Sequence, residues 1–145
     1  MEDTFDYSQV PYGFGHCAAT GCDKAATCLR HIALRYAPEE RTFPPTLNPQ
    51  KLEAMQGKCD YYVSNEPVRY AKGFLRTVNA LQVGVADTFR WRLIGRMGRK
   101  NYYHSRRGAR LISPEEQRYI IGVARELGLQ LDDYFDTYVF TYHWQ

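Results

Sequence analysis

Four cysteines fall in the N-terminal part of this 145-residue chain, Cys17, Cys22, Cys28 and Cys59, with four, five and thirty residues between them in turn. Thiols that a reducing compartment keeps unbridged, clustered three within twelve residues, read as thiolate ligands more than as disulfides. Four thiolates close a tetrahedral zinc site or hold an iron–sulfur cluster. The gaps are wider than the two to four residues usual for a zinc pair, and a cluster accepts more varied spacing, so both cofactors stay open. His16 or His31 can stand in for one thiolate. The competing reading is four ordinary buried thiols, since free cysteine is among the most buried residue types, or two adventitious disulfides.

The second constellation is cationic. A formal net charge of +3 conceals a sorting along the chain: residues 1–66 carry −3, residues 67–110 carry +10 and residues 111–145 carry −4. Within residues 90–110 stand Arg90, Arg92, Arg96, Arg99, Lys100, Arg106, Arg107 and Arg110 without one acidic residue, interleaved with Trp91, Tyr102, Tyr103 and His104. Arginine forks suit phosphate oxygens and guanine edges, and aromatics among them suit bases. The expected nucleic-acid contacts are Arg96, Arg99, Lys100, Asn101, Tyr102, Tyr103, His104, Ser105, Arg106, Arg107 and Arg110. The alternative is that the acidic flanks of the same chain neutralise these groups.

The elements that must position these residues are mainly helical. Residues 1–21, with Pro11-Tyr12-Gly13-Phe14-Gly15, read as an irregular arm. Leu29, Ile32, Ala33 and Tyr36 recur at helical spacing between Asp23 and Ala37, and Pro38 ends that helix. Pro38, Pro44, Pro45 and Pro49 make residues 38–66 an extended connector with at most a short helical turn near Gln50–Met55. Val68, Ala71, Leu75 and Val78 share one face of a predicted helix, and Phe89, Leu93, Ile94 and Met97 one face of the next, stopped near Gly98. Ser113-Pro114-Glu115-Glu116 is an N-cap, a proline at the first helical position and a reciprocal glutamate, and Gly128 is placed to close the helix it starts. The tail from Leu131 to Gln145 reads equally as a short helix or an extended arm. The organisation expected is a Cys-rich lobe at 1–66 and a basic helical lobe at 67–145.

The order from Leu93 to Arg110, an apolar helix ending at Gly98, a short basic and aromatic element, then the helix capped by Ser113, resembles the core of phage-repressor helix-turn-helix domains. Leu127-Gly128-Leu129 followed by Leu131, Asp132, Asp133, Tyr134 and Phe135 extends that likeness over residues 68–135. The resemblance implies that Asn101, Tyr102, His104 and Ser105 face bases or phosphates, with double-stranded DNA as the partner, and it allows a homodimer. Phe5-Asp6-Tyr7-Ser8, Val10-Pro11-Tyr12-Gly13-Phe14, Cys28-Leu29-Arg30, Arg41-Thr42-Phe43, Cys59-Asp60-Tyr61-Tyr62 and Leu111 through Gln117 look like an uncharacterised bacterial family of short four-cysteine proteins. That likeness implies no activity, only that arm, cysteine loop and helical part belong together.

Composition removes several classes. Hydrophobic residues at 44% and charged residues at 24% exclude wholesale disorder. No run approaches the roughly 18 apolar residues of a membrane helix and the acidic Met1–Asp6 is no signal peptide, so the expectation is a cytoplasmic protein. No phosphate loop, dinucleotide fingerprint, nucleophile elbow or zinc-protease motif occurs. A tyrosine nucleophile at Tyr102 or Tyr103 lacks its scattered Arg and His partners, and a reactive Cys28–His31 pair is less economical than ligation. The function expected is therefore a DNA-binding transcriptional regulator with a structural or redox-sensing centre of zinc or an iron–sulfur cluster. The alternative is a non-enzymatic adaptor for protein or RNA, with a cluster-based electron carrier behind both.

Overall fold

The computed structural model describes residues 5–144. Among these the chain forms six α-helices, two 3-10 turns and a two-stranded sheet, a mainly helical fold, and it divides into two compact units. The first comprises residues 5–66 with 142–144, and the second Pro67–Thr141. The tail beyond Thr141, expected in the basic lobe, packs with the first unit instead. The reason is aromatic burial: Trp144 sets its edge on Phe14 with ring centres 4.9 Å apart, and Tyr142 lies 5.8 Å from Phe5. No helix among the described residues is long and apolar enough to cross a membrane.

The first unit is held by little apolar mass. Phe14, Leu29, Ala33 and Val63 are its buried cluster, with Phe5, Tyr7, Val10, Tyr142 and Trp144 packed around them. Its helices are short: α1 runs Leu29–Arg35 and α2 Pro49–Ala54, where the Asn48 side chain accepts from the Gln50 N–H and Pro49 starts the first turn. The predicted helix from Asp23 begins later, because Ala25–Thr27 is a 3-10 turn and Cys28, extended, is the N-cap of α1. Much of the rest is backbone pairing without strands, such as Leu29 N–H to the Val63 carbonyl (2.7 Å) and His16 N–H to the Pro45 carbonyl (2.7 Å).

In the second unit β1 (Val68–Lys72) pairs antiparallel with β2 (Thr137–Thr141), Tyr70 opposite Val139. Four helices follow β1: α3 (Leu75–Ala80), α4 (Val83–Met97), α5 (Arg99–Arg106) and α6 (Pro114–Glu126). Phe74, Phe89, Leu93, Tyr102, Ile120, Val123, Ala124 and Phe135 are among the residues of its single buried cluster. The capped helix forms with half of its expected box: Ser113 Oγ accepts from the Glu116 N–H, whereas the Glu116 carboxylate accepts from Arg110 instead of returning to Ser113, and Gly128 at φ +89° lets the Leu129 N–H reach the Ala124 carbonyl.

The predicted helix through Val68, Ala71, Leu75 and Val78 is corrected. Its first half is β1, because Val68 and Tyr70 also stand two apart, and remote Thr137–Thr141 supplies a strand while Ala71 exchanges both backbone hydrogen bonds with Ile112 on its other side. Gly73 at φ +78° breaks strand from helix, and a Cβ there would stand 2.5 Å from the Asp136 carboxylate. That carboxylate caps α3, accepting from the Leu75 and Arg76 N–H groups at 2.9 and 3.1 Å. The tail, left open between helix and arm, contributes β2.

Candidate metal centre and cationic surface

The pairings that order the first unit also place its thiols. Cys17 is fixed by its N–H to the Arg30 carbonyl (3.0 Å), Cys28 by its place as α1 N-cap in a bridge with Ser64, and both are at least partly buried. Cys22 and Cys59 lie exposed, in the loop before the 3-10 turn and after α2. Arg30 ties the edges together, its Nε donating to the Tyr61 carbonyl (2.8 Å) and a terminal nitrogen to the Gly15 carbonyl (2.9 Å). The result is one cavity of about 620 Å³ with all four cysteines and His31 on its wall. All four thiols are free of disulfides. Among the described residues no three His, Cys, Asp or Glu side chains converge as on a single ion.

The two histidines differ sharply. His16 is fully buried, its Nδ1 donating to the Phe14 carbonyl (2.8 Å), which leaves Nε2 to accept from the Tyr7 hydroxyl (2.7 Å). Both nitrogens are spent on the fold, so His16, one of the two expected substitutes for a thiolate, is a structural residue. His31 faces the cavity one turn after Cys28, and its buried Nδ1 has no hydrogen-bond partner.

Burial pushes the His16 imidazole below its ordinary value of 6.5, against the opposing pull of the Phe14 carbonyl. The unfolded chain therefore takes up a proton near 6.5 that the folded one refuses, and the neutral ring's contribution is present above that value and lost as pH falls. Thermal unfolding of the first unit is expected at a lower temperature at about pH 5.5 than at about pH 7.5, and His16→Gln should remove that difference. An unchanged pH dependence in the variant would show that another group is responsible.

On the second unit the cations divide in two. Arg90 pairs with Asp87 (3.1 Å), Arg92 with Glu126 (2.6 Å) and Arg96 with Glu115 (3.4 Å), all partly exposed. Arg110 grips Glu116 with both terminal nitrogens (2.8 and 2.9 Å), and one of them also donates to Ser105 Oγ. That hydrogen-bonded fork holds the guanidinium pKa above its ordinary value. The acidic tail segment thus does neutralise part of the patch: Arg110, two-thirds buried in its fork with Glu116, is corrected from an expected polyphosphate contact to an internally paired residue, whereas Arg96 keeps half of its side chain exposed beside Glu115. Arg99, Lys100, Arg106 and Arg107 have no carboxylate partner among the described residues.

Helix α5 carries most of these. Gly98, at φ +86°, is the single residue between α4 and α5, ending one and starting the other. Tyr102 anchors α5 in the core at 1% exposure, 5.7 Å from the Phe74 ring, and Ser105 beside it is wholly buried. Tyr102 and Ser105 are therefore corrected: neither can touch a base or a phosphate. A helix so short, with few apolar residues, needs its tyrosine inside. Asn101 is exposed and donates to the Met97 carbonyl (3.1 Å), while Tyr103 and His104 are half-buried. Trp91, absent from the expected contacts, stands out on α4; its flanking arginines were the only sequence signal.

Comparison with known proteins adds a family and no activity. No curated protein and no solved structure matches the chain significantly. The model of a family of unknown function, DUF6078, matches residues 1–144. The cysteine-lined unit and the cationic helical unit thus lie within one family-wide match, and the chain belongs to the DUF6078 family.

Proposed function

We propose that the protein is a thiolate-ligated metal-centre protein whose first unit holds an iron–sulfur cluster on Cys17, Cys22, Cys28 and Cys59. The observation that carries this reading is the single cavity with all four thiols on its wall. Zinc requires four donors at about 2.3 Å from one point, hence sulfurs within about 4 Å of each other. A cluster offers separate irons to separate sulfurs, which supports it for four cysteines that line one cavity without three ligating side chains grouped as on a single ion among the described residues. The cluster would supply a cross-link between the arm, α1 and the segment after α2, in a unit whose buried apolar cluster is Phe14, Leu29, Ala33 and Val63. Iron and acid-labile sulfide analysis of the full chain purified without oxygen tests it. Iron and sulfide in comparable amounts per chain support the cluster, whereas zinc or neither metal overturns it.

A second reading concerns the other unit. Arg99, Lys100, Arg106 and Arg107, on or next to one helix and without carboxylate partners, favour binding of nucleic acid through its phosphates. In its helix-turn-helix form, a DNA-binding regulator, α5 would enter a major groove with Asn101 and His104 left as base-edge candidates. The one-residue junction at Gly98 is tighter than the three to four residues usual between such helices.

A further inference from the structure

Trp91 keeps 54% of its surface open on α4, in a unit that buries Phe74, Phe89, Tyr102, Tyr134 and Phe135 and leaves one other ring, Phe140 on β2, exposed among the described residues. What lies near the indole is charge: the Arg90 guanidinium is 5.3 Å from its centre and that of Arg99 5.7 Å. One turn further along α4 stands Gly95, exposed, with no heavy atom within 4 Å of where a Cβ would be. Glycine weakens an exposed helix relative to alanine, and no neighbour here forbids a side chain. The effect of its absence is a flat opening beside the indole. Beyond it come exposed Arg99 and Lys100, and helical spacing continues that row through Tyr103 and His104 to Arg106 and Arg107, about 10 Å along the axis.

We propose that Trp91 and the opening at Gly95 form a stacking platform for an unpaired base, with Arg99, Lys100, Arg106 and Arg107 taking the adjoining phosphates, making this surface a site for single-stranded nucleic acid. The proposal rests on the polyanion reading of this unit and narrows it. A base offers its face to an indole only when it is free of a duplex stack, whereas side chains on a duplex meet phosphates and base edges. Arginines around an exposed aromatic serve both contacts at once, following the backbone and extending the stack.

The test uses the full chain and one mixed-sequence oligonucleotide, offered as a single strand and annealed to its complement, with heparin as a polyanion without bases. The single strand is expected to bind most tightly and to quench Trp91 fluorescence, read as the difference between the native chain and Trp91→Phe. Trp91→Ala should weaken single-strand binding about tenfold with little change in its salt slope. Arg99→Ala with Lys100→Ala should reduce that slope by about 1.4. Gly95→Leu, which fills the opening and favours the helix, should also weaken binding while thermal unfolding confirms the fold. Tighter binding of duplex or heparin, or a Trp91→Ala chain that binds as well as the native one, overturns the platform and leaves the polyanion reading standing. No salt-dependent binding to any of the three overturns both.

Discussion

Removing the proposed cluster from the full chain is expected to open the first unit and leave the second folded. The first unit buries Phe14, Leu29, Ala33 and Val63 as its apolar cluster, with helices of seven and six residues. Short helices of this kind do not persist in water without packing. Segments as far apart in sequence as Cys17 and Cys59 are brought to one cavity by loops, whose closure opposes folding unless a link repays it. A structural metal supplies folding free energy directly. Hydrogen exchange should report it: amides of α1 lose roughly 100-fold or more of their protection when the metal is chelated, and those of α6 keep theirs. Cys28→Ser with Cys59→Ser should reproduce that pattern in the untreated chain. Protection of α1 that is indifferent to both treatments would show that the loops close without a metal.

The second large effect belongs to Tyr102. At 1% exposure, against Phe74 and with Tyr103 4.9 Å away edge-on, it is the residue that ties α5 to the core. Truncation to alanine removes a large buried ring and leaves a cavity, a loss of about 3–5 kcal/mol by analogy with other buried aromatic residues. Tyr102→Phe keeps the ring and should cost less than about 1.5 kcal/mol. Denaturant unfolding measures both, and the cationic row on α5 should fail to bind polyanions in the alanine variant before global stability is lost. An alanine variant within 1 kcal/mol of the native chain would mean that α5 is held by something other than this ring.

Local chemistry made part of this architecture legible. Ser113 and Pro114 announce α6 because the cap and the first turn they start lie within four residues, and Gly128 marks its end for the same reason, while the Glu116 side chain, expected to return to the cap, goes to Arg110. Asn48 and Pro49 start α2 likewise. What the chain hid depends on distant partners. Val68–Lys72 carries apolar residues at spacings that fit helix or strand, and only β2, some seventy residues on, decides for the strand. Arg92 and Glu126 are 34 residues apart, so the neutralisation of half the cationic run was visible as a charge balance and not as pairs. Tyr102 illustrates the limit for sites: an aromatic residue among arginines fits a nucleic-acid surface and a core equally, and the scarcity of other apolar residues in α5 is what sends it inward. The cysteines were countable from the start, whereas the distinction between His16 and His31 needed their hydrogen bonds.

The central claim is that the four thiols surround a cluster. Visible absorption of the full chain, isolated without oxygen and compared with the Cys28→Ser, Cys59→Ser chain prepared alongside, tests it most directly. A broad sulfide-to-iron band in the native protein that is absent from the double variant is the predicted result; a colourless native protein, or a band of equal strength in both, would contradict it.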